Sequence, residues 1–225
     1  MSAKALRHHW QIDADQYARH EKRRGHRHAY EALDPGRTAL IVVDMIPFFV
    51  NENPYCRGIV PTIAELAGQL RASGGVVAWV VPGAQKPTQP QVEFYGQEVA
   101  ARYGESGGSG PLTERIWHEF SIDAGDAVLE KFAPSAFFPG RCDLDARLQE
   151  RDIDTVLICG TVANVCCESS IRDAQTLGYR VVAVADAMAA ARDEELNATL
   201  HTVYRSFGDV RPASELRALI AGVED

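Results

Sequence analysis

From residue 38 onward, short and largely apolar runs recur along the chain: Thr38 to Val43 (TALIVV), Val76 to Val81 (VVAWVV), Ala127 to Lys131 (AVLEK), Thr155 to Cys159 (TVLIC) and Val181 to Ala185 (VVAVA). Runs rich in β-branched residues, without a polar position at every second place, read as strands buried on both faces of a parallel sheet. A short further strand is predicted near Asp209 and Val210. Between the runs the apolar period changes to that of a helix. Ile63, Leu66, Ala67 and Leu70 define a helix from about Pro61, with proline in the first turn and Ser73-Gly74-Gly75 as its stop. Further helices are predicted over Leu144 to Arg151, from Gly160 to near Gly178, from Asp193 to about Tyr204, and from Ala213 to Ala221. Residues 82–125, with PGAQKPTQP and GESGGSGP, carry no such period and read as irregular loops beside a site.

Strands alternating with helices predict an α/β fold: a three-layer α/β/α, doubly wound, mainly parallel sheet of about six strands. In open sheets of this kind, ligands bind beyond the carboxyl ends of the strands. Asp44 follows the first run, Lys131 ends the third, and Gly160-Thr161-Val162-Ala163-Asn164-Val165-Cys166 follows the fourth. Chemically capable groups from distant parts of the chain are thereby placed on one edge.

At 225 residues the chain suits one such domain, assigned to residues 38–225. Residues 1–37 form a separate basic arm, with eight Lys or Arg against five acids, where the remainder has fifteen against twenty-six. Five of the seven histidines (His8, His9, His20, His26, His28) lie in the arm, but no acidic or cysteine ligands flank them at a recognised metal-site spacing. The arm is expected to lie over the domain or over a neighbouring subunit. A net charge of -8 opposes binding to nucleic acid or to an anionic membrane and leaves small molecules and other proteins as partners. No segment approaches the ~18 apolar residues of a membrane span, and MSAKALRHHWQIDADQ lacks the apolar core of a signal peptide. Five cysteines without a regular framework read as reduced thiols, which together predicts a soluble cytoplasmic protein.

Cys166 falls near a helix start, where unpaired N–H groups and the positive helix end favour a thiolate and can hold an oxyanion. A nucleophile needs a base, and Asp44 supplies one; Lys131 supplies a cation. A Cys–His pair is disfavoured, because His118 and His201 are the histidines outside the arm. Neighbouring Cys167 shares a helical stripe with Ile171 and Ala174, so Cys167 is expected to be an inert core thiol and Cys166 to carry a depressed pKa.

GTVANVCCESSIRDAQTLGYRVVAVADA closely resembles the nucleophile segment of the isochorismatase-like cysteine hydrolases, and ALIVVDM and LEKFAPSAFF resemble the aspartate and lysine segments of that superfamily, in the same order. The resemblance covers about residues 38–210. It implies a catalytic Asp44, Lys131 and Cys166, a cis peptide between Thr161 and Val162, an oxyanion hole of the Val162 and Cys166 N–H groups, and a homo-oligomer, dimer or tetramer. It implies an amidohydrolase acting on a carbamoyl amino acid, ureide, maleamate or nicotinamide-like compound. Many relatives carry Gln where Ile46 stands, which predicts a more apolar pocket on that side. Nicotinamidase-type members place an Asp-x-His metal site where this chain has Asn51-Glu52-Asn53, so no metal or other cofactor is expected. Members that cleave the vinyl ether of isochorismate can lack the cysteine; a vinyl-ether hydrolase and a catalytically silent binding subunit are the alternatives. Phe48, Phe49, Tyr95, Trp117, Phe137 and Phe138 are the candidate substrate-binding walls, with Arg102, Lys86 and Arg141 as candidate anchors for a substrate carboxylate.

Overall fold

A computed structural model describes residues 4–222; the outermost positions of the predicted arm and domain lie outside the described residues. The strands are β1 (Thr38–Val43), β2 (Val76–Pro82), β3 (Ala127–Lys131), β4 (Thr155–Thr161), β5 (Arg180–Ala189) and β6 (Asp209–Arg211). They form one parallel sheet in the order β3-β2-β1-β4-β5-β6. The helices are α1 (Ala14–Arg24), α2 (Pro47–Glu52), α3 (Pro54–Ala72), α4 (Gln89–Tyr95), α5 (Gln97–Gly104), α6 (Leu112–Arg115), α7 (Leu144–Gln149), α8 (Glu168–Thr176), α9 (Asp193–Ser206) and α10 (Ala213–Ala221).

The two-residue period of a strand divides the core into two layers. Ala39, Ile41 and Val43 of β1 pack with Leu148 of α7, Ile171 of α8 and Leu200 of α9, whereas Leu40 and Val42 pack with Ile63 and Leu66 of α3 and Leu216 of α10. Helices therefore cover both faces, as the unalternated apolar runs require. The chain winds outward in opposite directions from β1 and β4, and the crevice between their carboxyl ends is the position where such sheets bind ligands.

Several boundaries differ from those the sequence predicts. The first long helix starts at Pro54, because the Asn53 side chain accepts the Tyr55 N–H at 2.9 Å and proline suits the first turn. Pro61 then lies inside that helix. Residues 82–125 contain α4, α5 and α6; the first opens with a capping box in which Gln91 Oε1 accepts the Thr88 N–H at 2.8 Å. Strand β5 runs past Asp186 to Ala189. A π-turn over Ala163–Cys167 precedes α8.

The arm packs along its own chain. Ile12 joins the core on the α9 side, and His20 is buried with its ring 4.7 Å from that of Tyr204. His28 Nδ1 and the Ala29 N–H meet the two oxygens of the buried Asp209 at 3.1 and 2.9 Å, so the arm also covers the edge strand β6. No helix among the described residues is long and apolar enough to cross a membrane.

Gly160 sits opposite Val43 in the β1–β4 pairing, with φ +109° and a register shift beside it. A Cβ there would lie 2.1 Å from the Val43 carbonyl oxygen. Gly160→Ala is expected to lower the unfolding free energy by about 2–3 kcal/mol or more, from the disfavoured φ and the backbone clash, as read from urea titration.

Candidate active site

Asp44 follows β1 with φ +55°, in the left-handed region that aspartate tolerates better than most side chains. Its N–H still bonds to the Val80 carbonyl of β2 at 2.9 Å, so the chain leaves the sheet at a fixed point. Lys131 is the last residue of β3, paired with Pro82 of β2. Because β2 lies between β3 and β1, the lysine stem passes over the end of β2, and its Nζ meets Asp44 Oδ2 at 2.9 Å. The ammonium also donates to the Ala133 carbonyl at 3.2 Å and faces Cys166 Sγ at 3.5 Å, which occupies its three donors. Asp44 and Lys131 are 1% and 3% exposed.

Cys166 lies in the π-turn. An α-helical turn would give the Val162 carbonyl to the Cys166 N–H; here Val165 and Cys167 donate to it, at 3.0 and 3.2 Å. The Thr161–Val162 peptide is cis. Cys167 is fully buried with Ile171 and Ala174, while Cys166 faces Lys131 and is half-buried.

The electrostatics correct one expectation. Cys166 has no depressed pKa: burial, and then the negative Asp44, push its thiol up to about 12 against the opposing pull of Lys131. Burial also raises the Asp44 carboxyl, with Lys131 pulling it back. For Lys131, burial works against the charge, but Asp44 and Cys166 outweigh it and shift the ammonium upward. The resting arrangement is an ion pair beside a neutral thiol. Asp44 Oδ1 is buried with no hydrogen-bond partner among the described residues, and the thiol adjoins this carboxylate, so an acceptor for its proton is already in place.

A serine that the sequence reading passed over ties these segments together. Ser170 is fully buried; its hydroxyl donates to the Cys166 carbonyl at 2.7 Å and accepts the Ala136 N–H at 2.9 Å. The loop after Lys131 is thus bolted to the helix carrying Cys166.

Of the candidate walls, Phe48 and Phe49 line a cavity of about 470 Å³ that reaches Thr161 and Val162. Trp117 and Phe137 do not; both are buried, in opposite core layers, because their apolar area fills helix–sheet packing. Tyr95 lines a separate small cleft with Gln85 and Tyr103, and Phe138 is 51% exposed. Ile46 is buried too, so the apolar character near Asp44 is supplied to the cavity by its two phenylalanine neighbours. Arg102 lines the cavity and pairs with Glu52, whereas Lys86 lies in a shallow depression with Pro87, and Arg141 donates to the Phe132 carbonyl. Tyr55 and Ala191 are cavity residues that sequence reasoning missed; the Asn53-Pro54 start signal would have placed Tyr55 at a helix end facing this edge. Among the described residues, no three His, Cys, Asp or Glu side chains form a group able to hold a metal.

Two outcomes are expected. Iodoacetamide labelling of Cys166, followed by peptide mass mapping, should accelerate up to about pH 10 without levelling, since the thiolate is the reactive form; a plateau near neutral pH would restore the depressed pKa. Ser170→Ala should strand the buried Ala136 N–H and cost about 1–3 kcal/mol in urea unfolding.

The Isochorismatase domain model matches residues 38–215. Ureidoacrylate amidohydrolase RutB of Methylobacterium radiotolerans is 30% identical over 200 residues, covering 79% of this chain and 77% of that protein. A cysteine hydrolase from Pseudomonas syringae pv. phaseolicola superposes with a TM-score of 0.75 at 27% identity, over 87% of this chain and 97% of that one. N-carbamoylsarcosine amidase from Thermoplasma acidophilum superposes with a TM-score of 0.65 at 29% identity, over 79% of this chain and 96% of that one. A parallel sheet in this order, with an Asp, a Lys and a Cys converging at its carboxyl edge, thus sits within a match that spans most of the chain, which belongs to the isochorismatase family.

Proposed function

We propose that this chain is a cysteine-dependent hydrolase of a C–N bond in a small amide or ureido compound. The observation that carries the reading is Lys131 Nζ, held 2.9 Å from Asp44 Oδ2 and 3.5 Å from Cys166 Sγ; a cavity large enough for a small ligand, lined by none of the three, reaches Val162 on the turn that carries Cys166. The activities of the similar proteins RutB, a ureidoacrylate amidohydrolase, and N-carbamoylsarcosine amidase support the ureido and carbamoyl class.

With the thiol held neutral, proton transfer and attack are coupled. Asp44 takes the Cys166 proton as sulfur bonds to the substrate carbonyl carbon. The oxygen becomes an oxyanion, held by the Val162 and Cys166 N–H groups. Lys131 stays protonated and balances the negative charge that moves from carboxylate to sulfur to oxyanion. Collapse of the adduct breaks the C–N bond, and Asp44 returns the proton to the departing amine or ammonia. Water then attacks the thioester or thiocarbamate, passing a proton to Asp44 that is returned to the leaving thiolate.

A panel of N-carbamoyl amino acids, ureides, maleamate and nicotinamide, read by ammonia release, should contain a substrate. Cys166→Ala should abolish its turnover by about three orders of magnitude or more, and Cys167→Ala should keep most of it; ammonia release that survives Cys166→Ala would remove the cysteine from the mechanism. Because the base must be ionised and burial raises Asp44, the acid limb of kcat/KM should lie above the usual carboxylate range, activity falling as pH drops through it. Exhaustive chelation should leave the rate unchanged, and loss restored by zinc or manganese would contradict the mechanism.

A further inference from the structure

One wall of the cavity is braced from behind by a segment that precedes the matched family region. Tyr55 and Ala191 line the cavity. The His8 ring stacks on Tyr55 with centroids 3.8 Å apart and planes 8° from parallel, and its side chain is 3% exposed. His8 Nε2 accepts the Ala190 N–H at 3.1 Å. A backbone N–H only donates, so Nε2 is unprotonated and the ring proton sits on Nδ1, which donates to Asp193 Oδ1 at 2.6 Å. One imidazole thus grips the first turn of α9, the loop carrying Ala191 and the ring of Tyr55.

The surrounding backbone is shaped for this segment. The Leu6 N–H bonds to the Pro54 carbonyl at 3.0 Å, and the Leu6 backbone crosses α3 at Gly58, where a Cβ would lie 1.7 Å from the Leu6 oxygen. Asn197 clasps the same strap, donating to the His9 carbonyl at 3.0 Å and accepting the Gln11 N–H at 2.8 Å. On the cavity side, Asn53 caps Tyr55 and donates to the Ala190 carbonyl at 2.9 Å. Tyr55 and Ala190 are therefore fixed from one side by Asn53 and from the other by His8.

We propose that His8 is a positioning residue for substrate binding, the N-terminal strap forming the outer brace of the pocket wall made by Tyr55 and the Ala190–Ala191 loop. The inference rests on the reading of the cavity as the substrate pocket. His8 makes no contact with Asp44, Lys131 or Cys166 in the hydrogen bonds and ring contacts described, so it acts on binding and leaves bond cleavage to the trio. The family-wide core supplies the chemistry, and the strap shapes what this chain admits to it.

The test uses the full chain. On the substrate found by ammonia release, His8→Ala is expected to raise KM about fivefold to tenfold, with kcat within about twofold, as lost stacking against a binding wall requires. His8→Gln, whose side-chain oxygen can accept the Ala190 N–H, should recover most of the loss. Gly58→Ala, which lines no part of the cavity and favours its own helix, should reproduce the KM rise by displacing Leu6. A second readout needs no substrate: at about pH 9, Cys166 is alkylated with iodoacetamide and with N-benzyl iodoacetamide, whose ring probes the cavity that opens beside Val162. The benzyl-to-parent rate ratio should fall in His8→Ala and Gly58→Ala and return in His8→Gln. Unchanged KM and unchanged rate ratio in both variants, with melting temperatures showing folded protein, would overturn the strap's role, as would a fall in kcat alone. Absence of any amide turnover would sink the amidohydrolase reading, and the alkylation ratio would still decide the inference.

Discussion

A carboxylate and an ammonium withdrawn from water cost several kcal/mol each unless they meet, and removing one partner of such a pair is more damaging than replacing both. The contact between Asp44 and Lys131 is this kind of pair, and much of the carboxyl edge is arranged around it. The left-handed turn at Asp44 and the termination of β3 at Lys131 bring the groups together across the end of β2. The Ala133 carbonyl and Cys166 take the remaining donors of the ammonium. With the charges so committed, the thiol is held as a neutral neighbour and the carboxylate keeps one unoccupied oxygen beside it. That free oxygen is the acceptor which the proposed proton transfer uses.

The layered α/β fold was legible in the sequence because each central strand is an unbroken apolar run, a pattern that only two covered faces accommodate. The site was legible for a related reason: Asp44 and Lys131 are polar residues ending apolar strands, and strand ends share an edge. What escaped notice depended on local geometry or on distant contacts. The start of α3 was masked by Pro61, which looks like a first-turn proline until Asn53-Pro54 is weighed against it. Helices α4 to α6 were hidden by the glycines and prolines that separate them. Trp117 and Phe137 were offered to the pocket, but large aromatic rings serve a core equally well, and no periodic signal separates the two uses. A helix start and a lysine favour a thiolate at Cys166, whereas burial, which the sequence does not display, and the negative charge of Asp44 outweigh them.

The π-turn explains how two adjacent cysteines serve different environments. An extra residue in the turn passes the Val162 carbonyl to Cys167, which drops into the core with Ile171 and Ala174. Cys166 is left on the edge with its N–H released from that acceptor, and Ser170 fixes its carbonyl four residues on. Position along the chain and position in the site are decoupled by one backbone bond.

The strap has a consequence for the order in which the molecule is completed. His8 leaves a ribosome well before its anchor Asp193, which lies 185 residues downstream. The contact between them therefore forms only after α9 has emerged, and a separation this long makes it a slow one to find. Strands β1 to β4, and with them Asp44, Lys131 and Cys166, are all synthesised before Asp193. The strap is thus threaded first and fastened after the rest of the edge has been made.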